Sequence, residues 1–163
     1  MATSESYKDF VLECLGRCAK EYLGGRFAFS AQKMFGEYCA YIQERNFCGD
    51  FGGESILSGG KKVLFLLCDE QVFIKKYEVL EQIAQDFSAY FSLGFPFSGA
   101  KEHYIIDIEN LELVAQIIES SLPFLPTTKT SKHTKTLTKA NKTQKQTRKH
   151  KNTKAESKQN PKK

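Results

Sequence analysis

Two cysteines spaced four residues apart have the residue type and spacing for metal binding. On a helix Cys14 and Cys18 would lie about one turn apart, as two zinc ligands can. A tetrahedral site needs two more ligands, and Cys39, Cys48 and Cys68 are the other thiols. The same two positions also fit an apolar helical stripe, in which cysteine packs as a small hydrophobe. Because no CxxC motif occurs, core packing is the favoured interpretation, and no metal and no cofactor is predicted.

Motifs for nucleophilic catalysis or phosphate binding are incomplete. A reactive thiol needs a histidine beside it, and the only histidine before residue 127 is His103. No local signature supports a Cys–His pair, and a solvated or hydrogen-bonded His103 is the simpler interpretation. A phosphate loop ending at Gly60-Lys61 would need glycine at 55 and a hydroxyl residue at 62, where the chain has Ser55 and Lys62. No catalytic residue is predicted.

Three carboxylates lie beside predicted strands. Asp69 and Glu70 fall between two apolar runs, where a hairpin turn favours polar residues. Glu37 begins a strand. It has either a structural role, supporting the preceding turn or pairing with Lys33 or Lys75, or a role in binding a partner.

A small basic site is predicted on the condition that two strands are neighbours. Lys33 follows one extended segment, and Lys75 and Lys76 end another. Lysines on edge strands also serve to prevent aggregation, which is the structural alternative. The predicted partner-binding residues are Lys33, Glu37 and Lys75.

Two stretches organise the predicted sheet. Residues 33–41 are predicted to form a tight turn at Gly36 followed by a strand of alternating side chains. Residues 62–76 supply the pairing partner, as two β-rich segments with a loop short enough for a hairpin. Phe27–Ser30 is a further extended segment. Five glycines between residues 49 and 60 indicate a flexible loop or an elongated hairpin tip.

Three helices are predicted. In the first, apolar residues recur with helical spacing at Tyr7, Phe10, Val11, Cys14, Leu15, Cys18 and Tyr22. Ser6 and Asp9 provide a capping-box-like start, and Gly24-Gly25 provides the end. The second helix is predicted over residues 77–92.

The last part of the predicted domain contains a turn, a strand and a helix. Pro96 cannot donate a hydrogen bond to a sheet, so Phe95–Phe97 is predicted as a turn or a short edge segment. His103–Ile108 is predicted as a strand. Asn110 is predicted to cap the third helix, and Pro123 and Pro126 close the domain.

Charge divides the chain into an acidic part and a basic part. Residues 127–163 contain thirteen basic residues and one acid, a net charge of +12, whereas residues 1–126 contain eleven and eighteen, a net charge of −7. All thirteen Phe, seven Tyr and five Cys precede residue 127. Only the first part can therefore bury a core, and the second is predicted to be disordered.

The basic segment is predicted to bind nucleic acid through salt-sensitive, largely sequence-independent contacts. A solvated tail or an anchor for an acidic protein is the alternative. The cations assigned to nucleic-acid binding recur mostly every three or four residues: Lys129, Lys132, Lys135, Lys139, Lys142, Lys145, Arg148, Lys149 and Lys151.

Membrane insertion and secretion are not expected. The first residues have no basic region followed by an apolar stretch. The longest apolar run, Val63–Cys68, is too short to cross a bilayer, and five scattered cysteines do not form a disulfide framework. A cytoplasmic protein with reduced thiols is expected.

Several motifs resemble the N-terminal domain of the TfoX/Sxy bacterial competence regulators. They are Lys33-Met34-Phe35-Gly36-Glu37-Tyr38, Cys68-Asp69, Phe73-Ile74-Lys75 and Pro96-Phe97, in an order and spacing that match over about residues 7–124. The resemblance implies a two-layer α+β domain without enzymatic activity, and regulation of DNA-uptake genes by assisting a transcription factor. Glu37 departs from it, since many members have a second glycine there. The glycine-rich segment 49–60 reads as an insertion, and the basic segment replaces the C-terminal TfoX domain.

The sequence as a whole predicts one α+β domain, residues 5–126, with an antiparallel sheet packed by helices, followed by a disordered basic tail, residues 127–163. The predicted function is that of a non-enzymatic regulatory adaptor whose body contacts a regulatory protein and whose tail binds DNA or RNA. The alternative is a small ligand-binding domain or thiol-dependent enzyme that uses Glu37, Lys75 and a cysteine.

Overall fold

The structure, a computed structural model, describes residues 2–47 and 55–128, all within one compact unit, Met1–Ser131. Helix α1 spans Glu5–Glu21. Its N-cap is Ser4, whose side chain accepts a hydrogen bond from the Tyr7 N–H, and not Ser6 as the spacing to Asp9 predicted. Both serines have cap chemistry, and the spacing to Asp9 alone did not distinguish between them.

Two tight turns join the first four strands into hairpins. Strands β1 (Phe27–Met34) and β2 (Glu37–Phe47) flank Phe35-Gly36, and strands β3 (Ser55–Cys68) and β4 (Gln71–Lys75) flank Asp69-Glu70. Both residues of each turn have positive φ, which is the geometry of two-residue hairpins that match strand twist. The turn at Gly36 and the hairpin at Asp69-Glu70 are confirmed.

Six antiparallel strands form one sheet in the order β1-β2-β3-β4-β6-β5, which confirms the predicted α+β class. The short strands β5 (Phe91–Gly94) and β6 (His103–Ile106) complete it. Strands β2 and β3 pair as a long hairpin, from Tyr38 opposite Leu67 to Phe47 opposite Ser55. The described part of the glycine-rich region, residues 55–60, is therefore strand, and residues 48–54 lie outside the described residues.

The pairing register of the strands shows which residues lie on each face of the sheet. Residues directly opposite one another share a face, and one row across the sheet contains Lys33, Tyr38, Leu67, Val72, Ile106 and Phe91. Apolar members of this row pack with α1 and α3 in one core, so it marks the inner face. The adjacent row contains Gln32, Cys39, Leu66, Phe73, Ile105 and Ser92 and marks the outer face.

The predicted second helix over 77–92 is wrong in extent. Helix α2 spans only Glu81–Asp86, between 3-10 turns at Glu78–Leu80 and Ser88–Tyr90. The chain leaves the helix at Phe87, with φ −112° and ψ 36°. Residues 91–94 then form strand β5, because pairing with β6 satisfies their backbone groups. Tertiary pairing thus overrides an apolar spacing that also fits a strand.

Helix α3, Leu111–Ser121, forms as predicted, with the Asn110 side chain accepting a hydrogen bond from the Leu113 N–H. On α1 the buried face includes Val11, Leu15 and Cys18, whereas Phe10 and Tyr22 are exposed. Those two aromatic residues fall at the margins of the predicted stripe. The core therefore lies between the two helices and the inner face.

The chain beyond α3 returns to β3. The Val63 N–H donates to the Pro126 carbonyl over 3.0 Å, and the Thr128 N–H donates to the Lys61 carbonyl over 2.8 Å. A bridge joins Lys62 to Thr127. Ordered pairing therefore continues two residues past the predicted domain end at 126, and the rest of the predicted tail lies outside the described residues. In the described ranges, no helix has the length and apolar character needed to cross a membrane.

Candidate functional site

The hairpin turn of the opening motif presents an exposed aromatic ring. Phe35 has φ 52° and its side chain is fully exposed. A bulky residue at positive φ costs about 1–2 kcal/mol, and burial does not offset that cost here. Met34 beside it is 44% exposed. The tip of this hairpin is therefore a small apolar surface rather than part of the core.

Glu37 has a partner inside the protein. Its Oε2 accepts hydrogen bonds from the Thr3 N–H over 3.0 Å and from the Thr3 hydroxyl over 2.5 Å. Thr3 is buried, and its hydroxyl oxygen lies 3.4 Å from the Glu70 N–H, which donates to it. Ser4 adds a hydrogen bond to the Glu70 carboxylate over 2.8 Å. These contacts, which we call the Thr3 clamp, fasten the start of α1 to both hairpin turns.

Lys33 lies on the inner face, above an aromatic ring. Its Nζ is 5.9 Å from the centre of the Tyr38 ring, and the Nζ of Lys8 is 5.7 Å from the same centre. Both distances suit a cation–π contact. Neither predicted pairing of Glu37, with Lys33 or with Lys75, is among the ion pairs of the described residues.

Lys75 lies in a different part of the molecule from Lys33. Strands β2 and β3 separate β1 from β4, so the neighbouring strands required for a joint basic site do not occur. Register also places Lys75, opposite His103 and next to the inner-face residue Ile74, on the outer face. Lys75 instead lines a cavity of about 400 Å³ with Lys76 and His103. Its Nζ is 5.7 Å from the centre of the Tyr77 ring.

The described cysteines are buried and form no disulfide, and the Cys18 thiol donates a hydrogen bond to the Leu111 carbonyl over 3.4 Å. Burial raises the pKa of Cys18 to about 11, and burial with the nearby Glu37 and Asp69 carboxylates raises the pKa of Cys68 to about 11. Burial also raises the pKa of Cys14 and of Cys39. A thiolate nucleophile needs a lowered pKa, so these environments oppose reactivity. Within residues 2–47 and 55–128, no three His, Cys, Asp or Glu residues are grouped to hold a metal ion.

His103 is hydrogen-bonded, in keeping with the simpler interpretation of its role. Its Nδ1 lies 2.7 Å from the Lys101 carbonyl, an acceptor, so Nδ1 carries a proton and donates this hydrogen bond. Sequence reasoning missed that Lys101 and Phe97 join it around one cavity. Only sheet order brings these residues together. Thr3 was also missed, although a threonine just before a helix cap is a detectable signal.

The predicted nucleic-acid-binding cations, from Lys129 to Lys151, lie outside the described residues, and their assignment stays a prediction. Thr127 and Thr128, the last described residues before them in sequence, pair with β3.

The fold and these contacts define a small α+β protein with an aromatic hairpin tip and a basic cavity. The chain is 27% identical over 134 residues to an uncharacterised 12.7 kDa protein encoded in the trpE 5′ region of Spirochaeta aurantia, with 81% of this chain and 91% of that protein covered. No protein-family model matches the chain. No solved structure matches it either.

Proposed function

We propose that this protein is a non-enzymatic regulatory adaptor, in which the acidic body contacts a protein partner and the basic C-terminal segment binds nucleic acid without sequence preference. The charge division carries the proposal: +12 over residues 127–163 against −7 over residues 1–126. Closely spaced cations neutralise phosphates and release counterions, whereas an acidic body repels a polyanion. The resemblance to the TfoX N-terminal domain gives the proposed process, regulation of DNA-uptake genes.

Contact with a protein partner is supported by the hairpin tip. Aromatic side chains anchor many protein interfaces, and Phe35 extends fully into solvent with Met34 and Lys33 beside it. Glu37 holds this hairpin through the Thr3 clamp. Of the three predicted partner-binding residues, Lys33 would contact the partner and Glu37 would position the tip. Lys75 belongs to the separate cavity.

Charge removal in the full-length chain tests nucleic-acid binding. The nine assigned cations, Lys129 to Lys151, are replaced by glutamine, and affinity for duplex DNA and for RNA of the same length is measured over a salt series. The unchanged protein is expected to show log K falling linearly with log salt, by about 0.9 per phosphate contact on duplex DNA. The glutamine variant is expected to lose most of the affinity and most of the slope.

A second variant with the same tail composition in a reordered sequence serves as the control. It should retain binding, because the proposed attraction depends on charge and not on order. Unchanged affinity in the glutamine variant, or loss in the reordered one, would contradict the proposal.

The partner role is tested by Phe35→Ser in cells that carry the gene, with expression of DNA-uptake genes as the readout. Tyr22→Ser, which changes another exposed aromatic side chain, is the matched control. Reduced expression is expected for Phe35→Ser alone, with DNA affinity unchanged. If Phe35→Ser and Tyr22→Ser change expression equally, the hairpin tip is not the site of contact with the partner.

A further inference from the structure

The cavity beside Lys75 collects cations in a body that is otherwise acidic. Lys75, Lys76, Lys101 and His103 line it, with Glu102 as the one carboxylate. The Lys76 Nζ donates to Glu102 over 2.9 Å, so the negative charge is already paired. Three of the eleven basic residues before position 127 thus meet at one concave site. Such a site attracts an anion.

The same cavity has an apolar wall. Leu66 from the outer face, Phe97 and Ala100 line it together with the cations. Phe97 is 59% exposed, which leaves much of its ring open to a ligand. The volume of about 400 Å³ falls within the range of small-molecule sites, about 300–1,000 Å³.

The loop that carries Phe97 is firmly held. Pro96 is buried between two exposed phenylalanines, and the Ala100 N–H donates to the Phe97 carbonyl over 3.0 Å. Gly99 has φ 83° at the third position of this turn, as a type II turn requires. His103 then holds the Lys101 carbonyl through Nδ1. The aromatic ring and the cations are therefore presented on an organised surface.

We propose that this cavity binds a nucleotide unit, with its phosphate at Lys75 and Lys101 and its base against Phe97. An exposed aromatic ring next to lysines is the arrangement by which proteins hold single nucleotides and single strands, because every base has a face that stacks. The site belongs to the body and does not require the basic tail. The nucleotide is either free or part of a single-stranded nucleic acid.

Backbone NMR titration of the full-length protein with adenosine monophosphate and uridine monophosphate tests the site. Shifts are expected at Lys75, Phe97 and residues 100–103. Lys75→Ala and Phe97→Ala are each expected to weaken nucleotide binding about tenfold. For inorganic phosphate, only Lys75→Ala should weaken binding, because phosphate has no base to stack. All these side chains are exposed, so the variants should fold, and circular dichroism checks this.

Lys33→Ala is the matched control, since Lys33 also lies close to the end of a strand, with its Nζ 5.9 Å from the centre of a tyrosine ring. It should leave nucleotide affinity unchanged. The proposal would be overturned if inorganic phosphate bound as tightly as the nucleotides, or if Lys33→Ala and Lys75→Ala lost equal affinity. It would also be overturned if an acidic peptide displaced the nucleotide equally well from the unchanged protein and from Phe97→Ala.

Two arms separate the sources of the nucleotide. If a ten-nucleotide oligothymidine binds more tightly than the mononucleotide, and its affinity falls to that of the mononucleotide in Phe97→Ala, the ligand is a single strand. Equal affinities indicate a free nucleotide. Both measurements are repeated with the glutamine variant of the nine tail cations described above. If the Lys75-dependent shifts persist in that variant, the cavity site is separate from the proposed role of the tail. Absence of shifts in both proteins would refute the cavity site alone.

Discussion

Two lysines in similar local settings have different surroundings. Lys33 is the residue before the last of β1 and Lys75 is the last of β4, and their Nζ atoms lie 5.9 Å and 5.7 Å from the centre of a tyrosine ring. We call the surroundings of Lys33 (Thr3, Lys33, Glu37, Tyr38) the clamped region, and those of Lys75 (Lys75, Phe97, Lys101, His103) the open region. In the first, the N-terminal segment satisfies the nearby carboxylate. In the second, the lysine lines a cavity. Neighbours from distant sequence positions therefore decide which of the two lysines lines a cavity.

The largest expected difference between the regions is in stability. Leu67, opposite Tyr38, is fully buried, and its neighbour Leu66 lines the cavity at intermediate exposure. Leu67→Ala should lower the free energy of unfolding by about 2–5 kcal/mol, and Leu66→Ala by about 1 kcal/mol. Urea denaturation measures both. Similar losses would mean that the outer face is covered as fully as the core.

Removal of the Thr3 clamp should have the next largest effect. Glu37→Ala leaves the buried Thr3 N–H without its acceptor, whereas the Thr3 hydroxyl keeps the Leu67 carbonyl as an acceptor, so a cost of about 1–3 kcal/mol in unfolding free energy is expected. Glu37→Gln keeps an acceptor and should lose less. Hydrogen exchange at residues 4–8 should accelerate in Glu37→Ala. If stability is unchanged, the clamp does not hold the helix start.

Alkaline pH should weaken the fold through buried thiols. The folded pKa of Cys18 and of Cys68 is raised from 9.0 to about 11, so the unfolded chain loses its thiol protons first. Their stabilising contribution is complete below pH 9 and lost as pH rises towards 11. Denaturation midpoints should fall across that window, and less steeply in Cys18→Ala/Cys68→Ala. A pH profile that is the same in both proteins would contradict this assignment.

The smallest expected effects are on stability at the two lysines themselves. Lys33→Ala and Lys75→Ala should each change the unfolding free energy by less than about 0.5 kcal/mol, since both side chains are exposed. Thermal denaturation measures the pair side by side. A much larger loss in Lys33→Ala would show that its contact with Tyr38 supports the clamped region.

Local patterns in the sequence predicted most of the elements. Helices α1 and α3 have long apolar periodicity, and the turns at Gly36 and at Asp69-Glu70 have local turn chemistry, so neighbours in sequence suffice to identify them. The segment 77–92 has apolar residues that fit either period. Its last residues form β5 because β6, which begins nine residues after β5 ends, provides their hydrogen-bond partners. That information is absent from the segment itself.

The candidate sites depended more on long-range structure. The spacing of Lys33 and Lys75 says nothing about the two strands that separate them. Glu37 was singled out as a residue that pairs within the protein or binds a partner, but its pairing with Thr3, thirty-four positions away in sequence, arises only through the fold. Phe97 and Lys101 meet Lys75 because β6 pairs with β4, and no local motif encodes this pairing.

The short return of the chain at Thr127-Thr128 has a consequence for any attempt to shorten the protein. These residues occupy backbone groups of Lys61 and Val63 together with Pro126, on the same edge of β3 as β4 but beyond the three residues that β4 pairs with. Truncation before Thr127 would leave the Lys61 carbonyl without its hydrogen-bond donor and expose an edge of β3 that can pair with a second molecule. Self-association of such a fragment would then result from the unpaired edge of β3 and would not indicate that the full-length protein is an oligomer.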